Sequence, residues 1–259
     1  MYRGFNLKNI ILLPDYLTIG QKIYDQQLNK VAKVLDQFVS PDGIIDGSAL
    51  QENWFPNMNH DIFISHSHAD KDIALSLAGA LGKLGLSCFI DSVIWGYSDN
   101  LLRIIDEKHC YNKQTGTFDY NSRNATTSHV HMMLSNALFR MIDNTECLFF
   151  INSNNSIKVE GVINKTLSPW IYTEIAASQI IRKIKPIREI HKAEDKAFSE
   201  IKNLNESISI DYDVNLAHLT ELNVTDIINW IEHYNHKKEH ALDTLYRVKP
   251  IKKLYDGSR

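Results

Sequence analysis

The chain has 259 residues, of which 44% are hydrophobic and 23% are charged, values close to those of an average folded protein. This composition argues against a disordered chain, and the formal net charge of −3 argues against an overall basic field that would bind nucleic acid or an anionic membrane. No apolar run reaches the roughly 18 residues of a membrane-spanning helix, and the apolar stretch near the N-terminus is too short for a signal peptide. The sequence therefore predicts a cytoplasmic protein without nucleic-acid or membrane partners.

Residues 1–57 are predicted to form a helical extension that precedes the main domain. Between residues 18 and 38, apolar side chains recur at alternating spacings of four and three, as on one face of an amphipathic helix. These residues are Tyr24, Leu28, Val31, Leu35 and Phe38. The turn residues SPDG at 40–43 are expected to end this helix. Its apolar face is expected to pack on its own domain.

The next elements predict one βαβ unit. A buried strand at 61–65 (DIFIS) is followed by a helix at 69–84, and Gly85 supplies the helix stop. A second apolar strand at 86–90 (LSCFI) follows directly. Two strands joined by a helix in about thirty residues pair in parallel.

The segment from about 96 to 145 is predicted to be a long insertion after the second strand. It contains a short apolar helix near 101–105 and a polar stretch at 111–128. A segment of this length in a compact domain usually carries function or forms a small substructure of its own.

The alternation of strands and helices continues to the end of the chain. A strand at 147–151 leads to a helix at 168–183, for which Ser168 is a good N-cap and Pro169 a good first residue. An extended stretch at 207–211 and a final helix from about 225 to 246 follow. This order predicts an open, doubly wound parallel sheet of the flavodoxin-like kind, in which ligands bind beyond the carboxyl ends of the strands.

Several polar residues lie where this fold would bind a ligand. Ser65, His66 and Ser67 leave the first strand, and the loop from Asp91 to Tyr97 leaves the second. Serine hydroxyls and the amides of a helix N-terminus can bind phosphate, although turn formation or capping explains the serines equally well. Within the loop, Ser92 and Trp95 are candidates for ligand contact, since an exposed tryptophan can stack on a base, but core packing is the commoner fate of tryptophan.

Three common cofactor signatures are absent or weak. Neither GxGxxG nor GxxxxGK[ST] occurs, which disfavours a Rossmann dehydrogenase and a P-loop NTPase. The pairs His66-x-His68 and His129-x-His131 suggest a metal only weakly, because the chain has 11 histidines and its three cysteines have no CxxC spacing. We expect neither a bound metal nor a disulfide framework.

Trp170 and Glu174 are four residues apart near the start of a well-capped helix, so they share a face. A carboxylate there could stabilise positive charge on a sugar. Spacing alone, however, favours a packed tryptophan and a solvated glutamate that complements the helix dipole.

Four segments together resemble the Toll/interleukin-1 receptor (TIR) domain, particularly the bacterial kind, over residues 58–235. They are DIFISHSHADKD, LGLSCFIDS, CLFFINS and SPWIYTE. In the first segment, His66 occupies the family's aromatic position and Asp70 its acidic position. The resemblance implies a TIR domain at 58–247 that carries the insertion at about 96–145, followed by a basic tail at 248–259.

The resemblance also implies an activity. Ser168, Trp170 and Glu174 have the spacing of the family's Ser-x-Trp-x-x-x-Glu motif, in which the glutamate is the catalytic residue for cleavage of the nicotinamide–ribose bond of NAD. NAD would then be the substrate, and no further cofactor is implied. Ser65, His66 and Ser67 would lie near its phosphates, and Asp91, Ser92 and Trp95 near its nicotinamide or at a neighbouring TIR domain.

The product would be ADP-ribose, a cyclic ADP-ribose or an ADP-ribose conjugate, depending on whether water, an internal atom or another molecule attacks the ribose. The resemblance further implies self-association through TIR domains and a role in Thoeris-like anti-phage defence, where the nucleotide product activates a separate effector protein. Two alternatives stay open: a non-catalytic TIR interaction module, and an enzyme like the nucleoside deoxyribosyltransferases.

Overall fold

A computed structural model describes residues 1–35, 47, 49, 60–160, 163–187, 210–234 and 239–251. In chain order its elements are β1 (Arg3–Lys8), α1 (Pro14–Leu35), β2 (Ile62–Ser65), a 3-10 turn (His68–Asp70), α2 (Lys71–Lys83), β3 (Cys88–Ile90), α3 (Ser92–His109), β4 (Tyr111–Asn112), β5 (Thr117–Phe118), α4 (Tyr120–Asn144), β6 (Cys147–Asn152), β7 (Lys158–Glu160), β8 (Ile163–Thr166), α5 (Pro169–Ile180), β9 (Tyr212–Val214), β10 (Thr220–Asn223), α6 (Val224–His233) and α7 (Ala241–Val248). Within these ranges, no helix is long and apolar enough to cross a membrane.

The central sheet has five parallel strands in the order β10-β1-β6-β2-β3. Right-handed crossovers place α1 and α2 on one face of this sheet and α3, α4 and α5 on the other. The packing agrees with this placement, because α1 contacts α2, and α4 contacts both α3 and α5. The protein is therefore an α/β protein built on a parallel sheet. The neighbouring strands β3, β2 and β6 reproduce the 2-1-3 half of the flavodoxin-like strand order.

The N-terminal segment contributes a strand to the sheet, which corrects the prediction of a purely helical extension over 1–57. Residues 3–8 pair with β6 on one side and with β10 on the other. Phe5 and Leu7 are completely buried on one face, and Gly4 and Asn6 alternate with them on the other. This alternation over six residues is typical of a strand. The sequence-based prediction missed it, because it treated the segment only as the part that precedes the helix.

The N-terminal helix itself is confirmed in its described part, since α1 covers 14–35 and buries Tyr24 and Leu28. The side chains of Val31 and Leu35, together with Phe38 and the turn at 40–43, lie outside the described residues. The strands predicted at 61–65, 86–90 and 147–151 are confirmed as β2, β3 and β6.

The polar stretch at 111–128 forms a small substructure, one of the two possibilities that the sequence left open. It is the short β4-β5 hairpin followed by the start of α4, where Asp119 caps the helix by accepting a hydrogen bond from the Ser122 amide at 2.7 Å. Two predictions in the second half of the chain need correction. The final helix from 225 to 246 is two helices, α6 and α7. The strand expected at 207–211 starts at Tyr212, and residues 207–209 lie outside the described part of the chain.

The small strands β7, β8 and β9 form a separate antiparallel sheet beside α5, and the sequence did not predict it. The core between the main sheet and its helices contains the completely buried side chains of Phe5, Phe63, Phe149, Phe150 and Trp230.

Strand β3 lies at the end of the sheet, and helix α1 covers its free edge. The Gln27 side chain donates a hydrogen bond to the Cys88 carbonyl at 2.5 Å and accepts one from the Ile90 amide at 3.2 Å. One amide side chain thus pairs the backbone groups that an edge strand would otherwise leave open.

Candidate functional site

The candidate site is built around a contact between β2 and α5. Ser65, the last residue of β2, donates a hydrogen bond from Oγ to Oε2 of Glu174 at 2.5 Å. Helix α5 is held in place at its start by Ser168, whose Oγ accepts a hydrogen bond from the Ile171 amide at 3.2 Å, and Pro169 is its first residue. The predicted cap is therefore confirmed. It places Glu174 in the second turn, over the carboxyl end of β2.

Glu174 is completely buried, as is Ser65. Burial raises the pKa of the Glu174 carboxyl well above its ordinary value, the negative charge of Asp91 raises it further, and the hydrogen bond from Ser65 lowers it in part. The carboxyl group therefore holds its proton more tightly than a surface glutamate does. The sequence-based alternative of a solvated glutamate on the helix surface is wrong.

Asp91 and His66 form a second buried pair next to this carboxyl group. Oδ2 of Asp91 accepts a hydrogen bond from the His66 backbone amide at 3.0 Å, and Oδ1 lies 2.5 Å from Nδ1 of the His66 ring. This pair joins the loop after β2 to the residue after β3. It also gives His66 a role that depends on its ring nitrogen.

Besides Nδ1 of His66 and Oδ1 of Asp91, which face each other in this ion pair, three buried polar atoms at or next to this site have no hydrogen-bond partner in the part of the chain that the structure describes. They are Oε1 of Glu174, Nε2 of His66 and Oγ of Ser92. Leaving a buried polar atom unpaired costs about 1–3 kcal/mol, so a site that keeps three of them is suited to a ligand that would pair them.

A polar cluster around Asp70 fixes the neighbouring loops. Asp70 is buried and accepts hydrogen bonds from Ser67 at 2.5 Å, from Ser153 at 2.5 Å and from Asn155 at 2.8 Å. The cluster joins the turn after β2 to the loop after β6. Sequence reasoning missed Ser153 and Asn155, although their place directly after an apolar strand at the ligand edge is the signal that would have found them.

Of the predicted binding residues, the structure brings Ser65, His66 and Asp91 together around Glu174, and places Ser67 in the Asp70 cluster. Ser92 is buried next to Asp91 as the first residue of α3. The segment 91–97 is not a loop, because α3 begins at Ser92. Trp95 lies in the first turns of this helix, and its side chain is outside the described part.

Trp170 contacts helix α4. Its ring is half-buried and stacks on His131 of α4, with ring centroids 5.5 Å apart and planes inclined by 16°. It joins α5 to the helix that precedes β6, which is a packing role.

The two members of the first histidine pair lie in different surroundings. His66 is buried against Asp91, while His68 is exposed on the 3-10 turn. Among the described residues, no group of three or more histidine, cysteine, aspartate or glutamate side chains is arranged to hold a metal ion.

Comparisons of the chain with protein-family models, with curated proteins and with solved structures find no match.

Proposed function

We propose that the protein is a TIR-like enzyme that cleaves the nicotinamide–ribose bond of NAD, with Glu174 as the catalytic residue. The observation that carries this proposal is a completely buried carboxyl group at the carboxyl end of a parallel strand, held by Ser65 through one oxygen and unpaired at the other. The Ser168, Trp170 and Glu174 spacing of the TIR motif supports the same assignment.

The raised pKa of Glu174 fits a cationic substrate. The nicotinamide ring of NAD carries a positive charge, so its arrival favours the ionised carboxylate and releases the proton to solvent. The electron pair of the C–N bond then leaves with nicotinamide, which departs as a neutral molecule. The Glu174 carboxylate stabilises the positive charge that develops on the ribose, as carboxylates do in glycoside hydrolysis.

The neighbouring groups supply binding rather than bond breaking. Nε2 of His66 and Oγ of Ser92 are free to pair with polar atoms of the substrate, and the Asp91–His66 contact fixes the ring. Attack by water on the ribose gives ADP-ribose and returns a proton to solvent. Attack by an atom of the same nucleotide gives a cyclic product.

The proposal extends to the biological role that the family resemblance implies. The nucleotide product would act as a signal in bacterial anti-phage defence, a separate effector protein would receive it, and TIR domains of several copies would associate in the active form. The protein would work in the cytoplasm, where NAD is available.

A non-catalytic interaction module is the second candidate. The complete burial of Ser65 and Glu174 favours it, because the same hydrogen bond also serves to lock α5 onto β2. In that case Glu174 stabilises the fold, and Glu174→Gln would change no catalytic rate.

The test is nicotinamide release from NAD by the wild type, Glu174→Gln and Glu107→Gln, with products separated by mass. Glu107 is a matched control, since it lies exposed on α3 in an ion pair with Arg103. The enzyme hypothesis predicts release by the wild type and Glu107→Gln only. Cleavage of deoxyribonucleosides in place of NAD would indicate a deoxyribosyltransferase-like enzyme, and no cleavage by a folded wild type, alone or with extract of phage-infected cells, would leave the interaction module.

A further inference from the structure

A polar groove lies at the carboxyl ends of β1, β6 and β10, away from Glu174. Its volume is about 610 Å³, within the ordinary range of small-molecule sites. Strands β1, β6 and β10 line it on one side, and β8 with the loop that follows β9 lines it on the other.

The strand register shows how far this groove is from Glu174. Ser65 is paired with Phe150, and Phe150 is paired with Asn6, so these three side chains point to the same face of the sheet. Two strand spacings of about 4.8 Å separate Ser65 from Asn6, roughly 10 Å in all. The completely buried Phe150 stands between them. The groove is therefore a separate site on the same sheet face.

The groove is rich in carboxamides. Among the described residues, four asparagines line it: Asn6, Asn152, Asn164 and Asn215. Each carboxamide offers two N–H donors and a carbonyl acceptor and carries no charge. The most buried of the four is Asn6, which is 3% exposed. Its Oδ1 atom has no hydrogen-bond partner among the described residues, so the groove contains an acceptor that solvent hardly reaches and the described chain does not use.

The charges at the groove cancel. Lys8 and Glu221, on the neighbouring strands β1 and β10, form an ion pair with each other. Because the two charges neutralise one another, the described lining of the groove has no excess of positive charge to attract a phosphate and no excess of negative charge to attract a cation. Its chemistry favours a neutral ligand that carries donors and acceptors on one edge.

We propose that this groove binds a neutral nucleoside through the base edge, with Asn6 accepting a hydrogen bond from an exocyclic amino group or a ring N–H. Asparagine pairs well with nucleobases, because its carboxamide can donate to one atom of the base edge and accept from the next. The bound base would pair the buried Oδ1 of Asn6. This site is independent of Glu174 and goes beyond the cleavage of NAD.

The experiment is calorimetric titration of the full-length protein with adenosine, guanosine, cytidine and uridine. We expect at least one nucleoside to bind with a Kd below about 1 mM, and Asn6→Leu, which keeps the side-chain size, to weaken that binding about tenfold or more. Asn164→Ala, in a different wall of the groove, is expected to weaken nucleoside binding as well. If Asn6→Leu does not fold, Asn164→Ala tests whether the groove is the binding site.

Two controls locate the bound nucleoside. Asn124→Leu changes an exposed asparagine on α4, and the affinity of this variant for the nucleoside should equal that of the wild type. Glu174→Gln should also bind as the wild type does. The proposal is overturned if none of the four nucleosides binds, if Asn6→Leu and Asn164→Ala both bind normally, or if Glu174→Gln abolishes binding, since that result would place the nucleoside at the Glu174 site.

Discussion

At the scale of single residues, Glu174 is a carboxyl group whose ionisation the fold opposes. Its pKa is raised, so between the ordinary glutamate pKa of about 4.3 and the raised value the unfolded chain ionises while the folded protein stays protonated. The folded state then binds more protons than the unfolded state, and stability falls as the pH rises through this window. Below the ordinary pKa the carboxyl group is protonated in both states, so its ionisation does not lower the free energy of unfolding.

Glu174→Gln removes this titrating group, so we expect the variant to be more stable than the wild type by an amount that depends on pH. The difference in unfolding free energy should move in favour of the variant by up to about 1.4 kcal/mol per pH unit above pH 4.3. Urea unfolding of both proteins from pH 4 to pH 8 measures it. A difference that does not change with pH would mean that Glu174 ionises as easily in the folded protein as in the unfolded chain.

Asp70 is expected to stabilise the loops of the site through its three hydrogen bonds. Asp70→Asn replaces one accepting oxygen by an NH₂ group that faces existing donors, so we expect a loss of about 1–3 kcal/mol in unfolding free energy. Asp72→Asn, two residues further on and exposed in the first turn of α2, should change it by less than about 1 kcal/mol. Equal effects of the two substitutions would mean that the Asp70 cluster contributes nothing specific.

At the scale of elements, the crossing of α1 and α2 depends on two glycines. A Cβ at Gly79 would lie 2.1 Å from the Tyr16 carbonyl oxygen, and one at Gly20 would lie 1.7 Å from that of Leu75. A Cβ at Gly82, on the same helix as Gly79, would meet only the flexible end of Ile23 at 3.2 Å.

Gly79→Ala is therefore expected to push the two helices apart and to lower the unfolding free energy by about 2 kcal/mol or more. Gly82→Ala is the matched control, because the same gain in helix propensity of up to about 1 kcal/mol is not offset there by a backbone clash. Thermal unfolding of both variants measures the contrast. If Gly79→Ala is as stable as Gly82→Ala, the helices do not approach each other as closely as the structure has them.

The elements that could be predicted from the sequence are those with a strong local signal. β2, β3 and β6 are short apolar runs, and the start of α5 is marked by Ser168 and Pro169. β10, with the sequence TELN, has no such run, since Leu222 is its one fully buried residue and its conformation depends on pairing with β1. The burial of Glu174 was equally beyond local patterns, because it depends on where α5 meets β2.

At the scale of the whole molecule, the N-terminal strand lies inside the sheet rather than beside the domain. It lies between β6 and β10, and β10 comes more than 200 residues later in the chain. The five-stranded sheet is therefore complete only when both β1 and β10 are in place. Residues 3–8 belong to the cooperative unit that holds the candidate site.

Phe5→Ala tests this arrangement. Phe5 is completely buried and packs on Phe149, so its truncation should cost about 3–5 kcal/mol. Ile11→Ala, six residues on at a 58% exposed position, should change stability little. Fluorescence of the protein during urea unfolding reports the result, since Trp230 is buried against Phe149. A Phe5→Ala protein as stable as Ile11→Ala would show that the N-terminal strand is dispensable.

The central claim is that Glu174, once ionised, cleaves the nicotinamide–ribose bond, and the measurement that tests it most directly is the rate of nicotinamide release from NAD as a function of pH. We expect kcat/KM of the wild type to rise with pH as the buried carboxyl group ionises, and kcat to rise at lower pH, because bound NAD favours the carboxylate. Glu174→Gln should release no nicotinamide at any pH. Equal release by the two proteins across the range would contradict the assignment of Glu174 as the catalytic residue.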